Sequence, residues 1–206
     1  MRAATDQRLQ QITQSDRQVG APTSQDLLPW KKGQWATYRM VSGKEKQPTF
    51  VRIEILDQSA EGTWIQTETQ SYYDRAVARV LYAQMPKDVD EVMDVVKKMV
   101  IEVDGQEPQE IDFTQNNPIV NLMKSSMKQH ASWGYGSSKV DFQGAKSVKV
   151  PAGTFEGCGS YKATVTVLGT SSTSTAFVHP EVPLGGVVRS VSDDGDHLSE
   201  LVDFGI

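Results

Sequence analysis

The sequence predicts an α+β fold in which a curved antiparallel β-sheet, a half-barrel, has helices packed on its concave face. Three observations lead to this prediction: strand-like alternation in the first part of the chain, two amphipathic helical patterns in the middle, and alternation with strong turns from residue 146 onward. Strands, then helices, then strands are typical of folds whose helices lie on one side of an antiparallel sheet.

The C-terminal third predicts β-hairpins. Residues 147–150 alternate polar and apolar side chains until the Pro-Ala-Gly-Thr sequence at 151–154 interrupts the run. Residues 161–167 alternate again, and a period of two is the pattern of a strand with one buried side. The segments at 169–171 and 193–196 are short and rich in Gly, Ser and Asp. Such segments are typical of hairpin connections, so neighbouring strands are expected to be antiparallel.

The first part of the chain predicts a meander that follows a short extension. Residues 3–19 have sparse helical spacing and precede a linker with Pro and Ser, so residues 1–28 are predicted to be a helical extension or tether. Residues 29–206 are predicted to be a single antiparallel half-barrel domain. The strand-like runs at its start cover residues 34–41, 51–56, 63–73 and 76–82, with short connections between them.

Two helices are predicted as an insertion at about 87–130. Asp88 and Glu91 form a capping-box pattern at the start of the first helix. The apolar stripe of this helix comprises Val89, Val92, Met93, Val96, Met99 and Val100. Asn117 and Pro118 fit the first positions of the second helix, because proline lacks the N–H that such a position leaves unbonded. The apolar face of the second helix comprises Ile119, Leu122, Met123 and Met127.

The composition excludes several classes of protein. A chain of 206 residues with a net charge of -5 and no concentrated basic region is not expected to bind nucleic acid. No apolar run approaches the ~20 residues of a membrane-spanning helix. Cys158 is the only cysteine, so no intrachain disulfide can form. Gly157 and Gly159 beside it predict a bulge or a close backbone approach.

The sequence contains no motif of catalytic chemistry. It has neither the G-x-S-x-G pattern of serine hydrolases nor the H-E-x-x-H pattern of zinc proteases. His130, His179 and His197 lie in separate predicted elements, so a shared metal site is not expected. Residues 193–196 lack the length and the terminal Glu of a calcium loop. The protein is therefore predicted not to be an enzyme, and no cofactor or metal is expected.

The placement of methionine points to a ligand. Five of the seven methionines lie between positions 85 and 127, mostly on the predicted helix faces. Methionine adapts to guests of varied shape, so helices over a curved sheet are expected to enclose a lipid or other long apolar molecule. The pattern leaves open the alternative that these side chains only fill an irregular core. The predicted lining residues are Met93, Val96, Met99, Leu122, Met123 and Met127 from the helices, with Trp64 and Tyr82 from the sheet.

Three segments resemble proteins of the bacterial cell envelope. They are the sequence KVPAGTF at 149–155, the sequence PEVPLGGVV at 180–188 and the sequence KGQWATY at 32–38. The pattern is similar to that of lipoprotein carriers and related lipid-binding lipoproteins, including an uncharacterised family with a VPAGTF turn. That pattern usually has an aromatic residue, often Trp, shortly before the proline, whereas this chain has Phe177-Val178-His179. The resemblance implies a half-barrel sheet covered by helices, and it brings no catalytic residues.

The resemblance also implies export, with the protein periplasmic or anchored to the outer membrane. The signal segment is then expected to be removed, and a lipid anchor just before Arg2 is expected to be the sole contact with the membrane, with residues 2–28 as its tether. The expected function is a non-enzymatic envelope protein that binds a lipid or acyl chain between sheet and helices. The alternative is a scaffold or adaptor in an envelope protein complex with no small-molecule ligand. It would contact its partner through the sheet edge or the loop at 133–135.

Overall fold

The computed structural model describes residues 15–24, 26–43, 47–84, 91–115, 118, 120, 138–167 and 170–206. These residues form twelve strands and one short helix, α1, which spans Val92–Val95. The strands are β1 (Gln18–Val19), β2 (Trp35–Ser42), β3 (Pro48–Ser59), β4 (Gly62–Gln70), β5 (Arg75–Tyr82), β6 (Val96–Val103), β7 (Gln109–Asp112), β8 (Ser138–Val150), β9 (Gly153–Val167), β10 (Thr170–Val178), β11 (Val187–Ser192) and β12 (His197–Gly205).

All twelve strands belong to one open sheet. Their order is β1-β9-β10-β11-β12-β2-β3-β4-β5-β6-β7, and β8 also pairs with β9. The short strand β1 runs parallel to β9, whereas the other described pairs are antiparallel. The pairing of β12 with β2 joins the first half of the chain to the second half. In the described part of the chain, β7, β8 and the two-residue β1 therefore each pair with one neighbour only, and β7 and β8 are the longer end strands of the sheet.

One face of the sheet, which we call the apolar face, holds the larger core. On this face Tyr38 of β2 pairs with Leu201 of β12. The turn between β8 and β9 folds over it, since the backbone N–H of Ala152 donates to the carbonyl oxygen of Leu201 over 3.1 Å. Side chains without solvent exposure in this core are those of Ala36, Phe155, Cys158, Val182, Val188 and Leu201. The β8–β9 hairpin thus closes one end of the apolar face.

Strand β1 is held in the same core by a buried histidine. Val19 of β1 is buried beside β9, and His179 is fully buried at the end of β10. The Nε2 atom of His179 lies 3.1 Å from the carbonyl oxygen of Gly20, and its Nδ1 atom accepts the backbone N–H of Glu181 over 3.3 Å. A neutral ring that accepts at Nδ1 donates from Nε2, so both contacts are satisfied. His179 therefore fixes the β1 segment to the sheet.

A smaller core lies at the other end of the apolar face. Its buried members are Val96 of β6, Phe113, which follows β7, and Val120. Partly buried side chains from the sheet pack around them, namely Val80, Tyr82, Met99 and Ile111. This cluster buries the end of the sheet that is farthest from β8.

The predicted fold class is wrong. Among the described residues, helical conformation is confined to α1 and to Pro118 and Val120, and no helices pack on a concave face of the sheet. Within the predicted first helix, 88–100, the described residues 91–100 form a helical turn followed by strand β6 from Val96 onward. The predicted second helix continues through residues 121–130, which lie outside the described residues. The predicted division into an extension at 1–28 and a single domain at 29–206 stays a prediction.

The side chains of residues 96–103 explain why this segment forms a strand and not the predicted helix. Valine and isoleucine are β-branched, which restricts their χ1 angle and favours a strand over a helix. Met99, Ile101 and Val103 alternate along β6, and β6 pairs with β5 on one side and with β7 on the other. The end of the predicted N-terminal helix is also strand, because residues 18–19 form β1, whereas residues 1–14 lie outside the described residues.

The predicted hairpins at 151–154 and 193–196 and the predicted distortion around Cys158 are confirmed, whereas the connection predicted at 169–171 is misplaced, because Thr170 and Ser171 already belong to β10. Short turns join β8 to β9 and β11 to β12, at the sites that the Pro-Ala-Gly-Thr and Asp-rich sequences indicate. The β8–β9 register shifts between Lys146 and Val148, opposite the segment that contains Gly157. Gly157 has a φ of 71°, and a Cβ atom there would lie 2.9 Å from the Cδ atom of Pro22. Glycine at this position therefore admits the N-terminal segment against β9.

The opposite face of the sheet, which we call the charged face, is covered by paired charges. Glu200 of β12 lies between Arg39 of β2 and Arg189 of β11, and it forms an ion pair with each. On the neighbouring strands, further pairs join Arg52 to Glu54, Arg75 to Glu68 and Arg79 to Glu102. The long aliphatic stems of such side chains shield apolar atoms between them, as with Val77, which is 1% exposed among them.

Candidate functional site

The outer side of β8 is the candidate site that the fold leaves open. Strand β8 is 13 residues long and pairs along its inner side with β9. Among the described residues, no strand pairs with its outer side. An end strand of this length presents a row of unpaired backbone N–H and C=O groups to a neighbour. Most residues of this strand from 140 to 147 are exposed, and we call this segment the β8 edge.

Two large apolar side chains are exposed on the β8 edge. Val140 is 60% exposed and Phe142 is 62% exposed. Both lie on the apolar face, where the ring of Phe142 contacts that of Tyr161 on β9 with 5.4 Å between the ring centres. Exposed apolar groups beside an unpaired backbone edge promote pairing with another chain, and natural sheets usually place charges there instead.

At the opposite end of the sheet, charged side chains protect the end strand β7 from pairing with another chain. Strand β7 is four residues long and carries Glu110 and Asp112. Lys98 of the neighbouring strand lies 3.4 Å from Glu110, so the short edge is covered by an ion pair. The two end strands therefore differ in length and in surface chemistry, and the difference singles out β8.

Two positively charged side chains lie toward the C-terminal end of β8. Lys146 is exposed within the β8 edge and Lys149 is exposed just beyond this edge. Neither lysine is among the described ion pairs. The β8 edge thus has exposed apolar side chains toward its N-terminal end and basic side chains toward its C-terminal end.

The structure brings together part of the predicted ligand-lining set. Tyr82 and Met99 pack on the cluster that contains Val96. Trp64 lies on the opposite face of the sheet, because it pairs with Leu81, whereas Tyr82 pairs with Thr63. The Met93 side chain and residues Leu122, Met123 and Met127 lie outside the described residues, so the complete set stays a prediction.

The single thiol and the described histidines occupy structural positions. Burial raises the pKa of Cys158 to about 11, so at neutral pH its sulfur is a protonated thiol. Burial likewise raises the pKa of Tyr38 to about 12, and its hydroxyl donates to the carbonyl oxygen of Val187. His179 fixes β1, and His197 begins β12 after the turn. In the described ranges, no three His, Cys, Asp or Glu side chains are grouped to hold a metal ion.

The helical part of the described chain is short. None of its helices has the length and apolar character needed to cross a membrane.

Solved structures include distant likenesses of this chain, among them two bacterial proteins. No family model matches this chain, and no curated protein matches it. A candidate exported protein with a YmcC-like fold from Bacteroides fragilis NCTC 9343 has 11% identity and a TM-score of 0.39, over 88% of this chain and 99% of that chain. A candidate lipoprotein from Parabacteroides distasonis ATCC 8503 has 10% identity and a TM-score of 0.38, over 88% of this chain and 100% of that chain. At these TM-scores, neither likeness assigns a fold family or a function to the chain.

Sequence patterns alone did not identify the β8 edge. Val140 and Phe142 alternate with Asp141 and Gln143, which is the pattern of any strand with one apolar side. Whether such a strand lies at the centre or at the end of a sheet depends on pairings that are far apart in the chain. The alternation is therefore a signal for the strand but not for its exposure.

Proposed function

We propose that this protein is a non-enzymatic adaptor of the bacterial cell envelope, and that it binds an extended segment of another envelope protein along the β8 edge. The observation that carries the proposal is the outer side of β8, which no described strand pairs with, beside two exposed apolar side chains, Val140 and Phe142. Strand addition to a sheet edge obtains affinity from backbone hydrogen bonds and specificity from alternate side chains. The envelope location is supported by the VPAGTF-type turn and the related segments in the sequence.

The chemistry of the edge defines the partner segment. Apolar side chains of the partner would cover Val140 and Phe142, and burial of apolar area is the main favourable term in association. Acidic side chains of the partner would lie beside Lys146 and Lys149, which also steers the approach of the two chains. The partner is therefore an extended segment with alternating apolar residues and an acidic end.

This proposal is tested by photo-crosslinking in cells that carry the full-length protein. A photoreactive phenylalanine analogue at position 140 is expected to give one discrete crosslinked band, and the added substitution Phe142→Lys is expected to reduce its yield about tenfold or more, since a lysine cannot be buried there unpaired. The matched control is the analogue at position 73, because Tyr73 is 63% exposed but lies in the turn between β4 and β5.

Three outcomes would contradict the adaptor proposal. The first is the absence of a crosslink at position 140, and the second is a band that also forms from position 73. The third is a band with the mass of two copies of this chain, since that would show self-association instead of an envelope partner.

A second candidate function is the binding of a lipid against the apolar face. It is favoured by a row of apolar side chains on β3, β5 and β6 that remain partly exposed, namely Val51, Ile53, Ala78, Val80, Met99 and Ile101. Such a surface would cover an acyl chain, with a gain of about 0.8 kcal/mol for each buried CH₂ group. In this form the lipid lies directly on the sheet.

Native mass spectrometry of protein extracted gently from the envelope tests the lipid proposal. A lipid adduct is expected on the wild type, and Met99→Glu is expected to remove it because the carboxylate would lose its hydration beside the acyl chain. Glu110→Gln, on the exposed end strand, is the matched control and should retain the adduct. Detection of the lipid-free mass alone in the wild type would overturn this second proposal.

A further inference from the structure

A cluster of serines lines a cavity on the apolar face of the sheet. The cavity has a volume of about 270 Å³ and lies over β10, β11, β12 and β2. Its serines are Ser42, Ser172, Ser174, Ser190, Ser192 and Ser199, and its other lining residues are Met40, Val41, His197 and Leu198. We call this cavity the serine trough. It lies on the same face as the larger core but away from it, where apolar side chains give way to hydroxyls.

The strand register explains why the serine side chains lie together on one face of the sheet. Ser174 pairs with Ser192, and Ser190 pairs with Ser199, which in turn pairs with Met40. Paired residues of neighbouring strands point to the same face of a sheet. Because serine is small, four adjacent strands leave a depression between the larger side chains that surround it. Serine is not enriched in strands, so its repetition here is not explained by strand propensity.

Among the residues that the structure describes, three of these six hydroxyls are free to bind a ligand. Within the described part of the chain, Ser174, Ser190 and Ser199 make no side-chain hydrogen bond to protein. Ser192 is not among them, because its hydroxyl donates to Asp194 and accepts the backbone N–H of His197 over 2.9 Å. Each free hydroxyl can donate one hydrogen bond and accept two.

The charges around the trough exclude one class of ligand and favour another. No lysine or arginine is among its lining residues, and the adjacent turn carries Asp193, Asp194 and Asp196. Lys162 neutralises Asp193 over 2.9 Å, but the turn as a whole remains negative. An anion would therefore be repelled, whereas a neutral polar molecule would meet a floor of donors and acceptors.

Apolar and aromatic groups lie beside the hydroxyls. Met40, which is 43% exposed, borders the trough on β2. The cross-strand row that contains Ser190 continues through Ala176 to Tyr161 and Phe142. A molecule with a hydroxylated edge and an apolar face could thus bond to the serines and lie against Met40 at the same time.

The geometry points to the serine trough as a binding site for a neutral saccharide. A sugar ring combines hydroxyls around its edge with C–H groups on its faces, which matches the serine floor and the apolar border. The cavity volume is close to the lower end of the ~300–1,000 Å³ that ligand sites usually have, and this suits one or two sugar units. This inference does not depend on the β8 edge or on the lipid proposal.

Nuclear magnetic resonance of the ¹⁵N-labelled full chain tests the inference. The probes are maltose, cellobiose and N,N′-diacetylchitobiose, each titrated to about 20 mM, which detects dissociation constants in the millimolar range. At least one of them is expected to shift the backbone amide signals of Ser174, Ser190 and Ser199. Ser190→Val is expected to weaken that binding on the order of 5-fold, because it removes a hydroxyl while preserving a strand-compatible side chain.

Controls separate this site from a general effect of sugar or salt. Ser59→Val changes an exposed serine at the end of β3, far from the trough, and should leave the titration unchanged. Ser190→Phe should fill the trough and abolish binding, with the unchanged remainder of the spectrum showing that the variant is folded. The inference is overturned if none of the three sugars shifts the trough signals, or if inorganic phosphate shifts the same signals.

Discussion

Phe155→Ala is expected to lower the free energy of unfolding by about 3–5 kcal/mol, the cost of removing a buried phenyl ring and leaving a cavity. Phe155 has no solvent exposure and lies between two other rings. The ring centre of His179 is 5.7 Å away and that of Phe204 is 6.0 Å away. The loss would therefore affect β9, β12 and the β1 segment together. Equilibrium unfolding in urea, followed by tryptophan fluorescence, measures this change.

Phe142→Ala is the matched control for this experiment. Phe142 has the same side chain on the adjacent strand, but it is 62% exposed. Its removal is expected to change the free energy of unfolding by no more than about 0.5 kcal/mol. Equal losses from the two substitutions would show that the core is not centred on Phe155.

His179→Leu is expected to lower the free energy of unfolding by about 1–3 kcal/mol, because it removes two partly buried hydrogen bonds of roughly 0.5–1.5 kcal/mol each. The backbone groups in these bonds are the carbonyl oxygen of Gly20 and the N–H of Glu181, which the imidazole ring now bonds. The β1 segment should detach before the rest of the sheet unfolds. Limited trypsin digestion should then release a fragment that begins at Gln18, since cleavage after Arg17 requires an extended, accessible backbone.

The control for the histidine is His197→Leu. The side chain of His197 is exposed, and its backbone N–H, which bonds to Ser192, is retained in the variant. This substitution is expected to leave both the unfolding free energy and the rate of cleavage after Arg17 close to wild type. If both variants expose Arg17 equally, then His179 does not hold the β1 segment.

Local patterns predicted the hairpins of this fold and mispredicted its middle. Turn chemistry acts over three or four residues, so the Pro-Ala-Gly-Thr and Asp-rich segments were sufficient to place two hairpins. The segment from Val92 to Val103 satisfies both a helical and a strand period, since Val96, Met99 and Val103 fit the first while Met99, Ile101 and Val103 fit the second. Pairing with β5 and β7 decided between them, and that information lies in other parts of the chain.

The candidate sites depend even more on distant pairing. The serines of the trough come from four strands, and the register between β12 and β2 is what places Ser199 beside Met40. Within the sequence, Thr170 to Thr175 is a run of Ser and Thr that indicates only a polar strand. Similarly, Phe142 became a candidate contact because β8 is an end strand, a property of the whole sheet.

The pairing of β12 with β2 has a consequence for the order in which the protein can fold. Gly205 is the partner of Trp35, so the β12–β2 pairing in the middle of the sheet joins residues that are far apart in the chain. Because synthesis starts at the N-terminus, the β12–β2 pairing cannot form until the last strand, β12, has left the ribosome. Contacts of such long sequence separation slow folding, because the intervening chain must lose entropy before the contacts form. Until β12 is synthesised, β2 lacks its partner on one side, and the sheet formed by β2 to β7 ends at an unpaired strand that the finished protein buries.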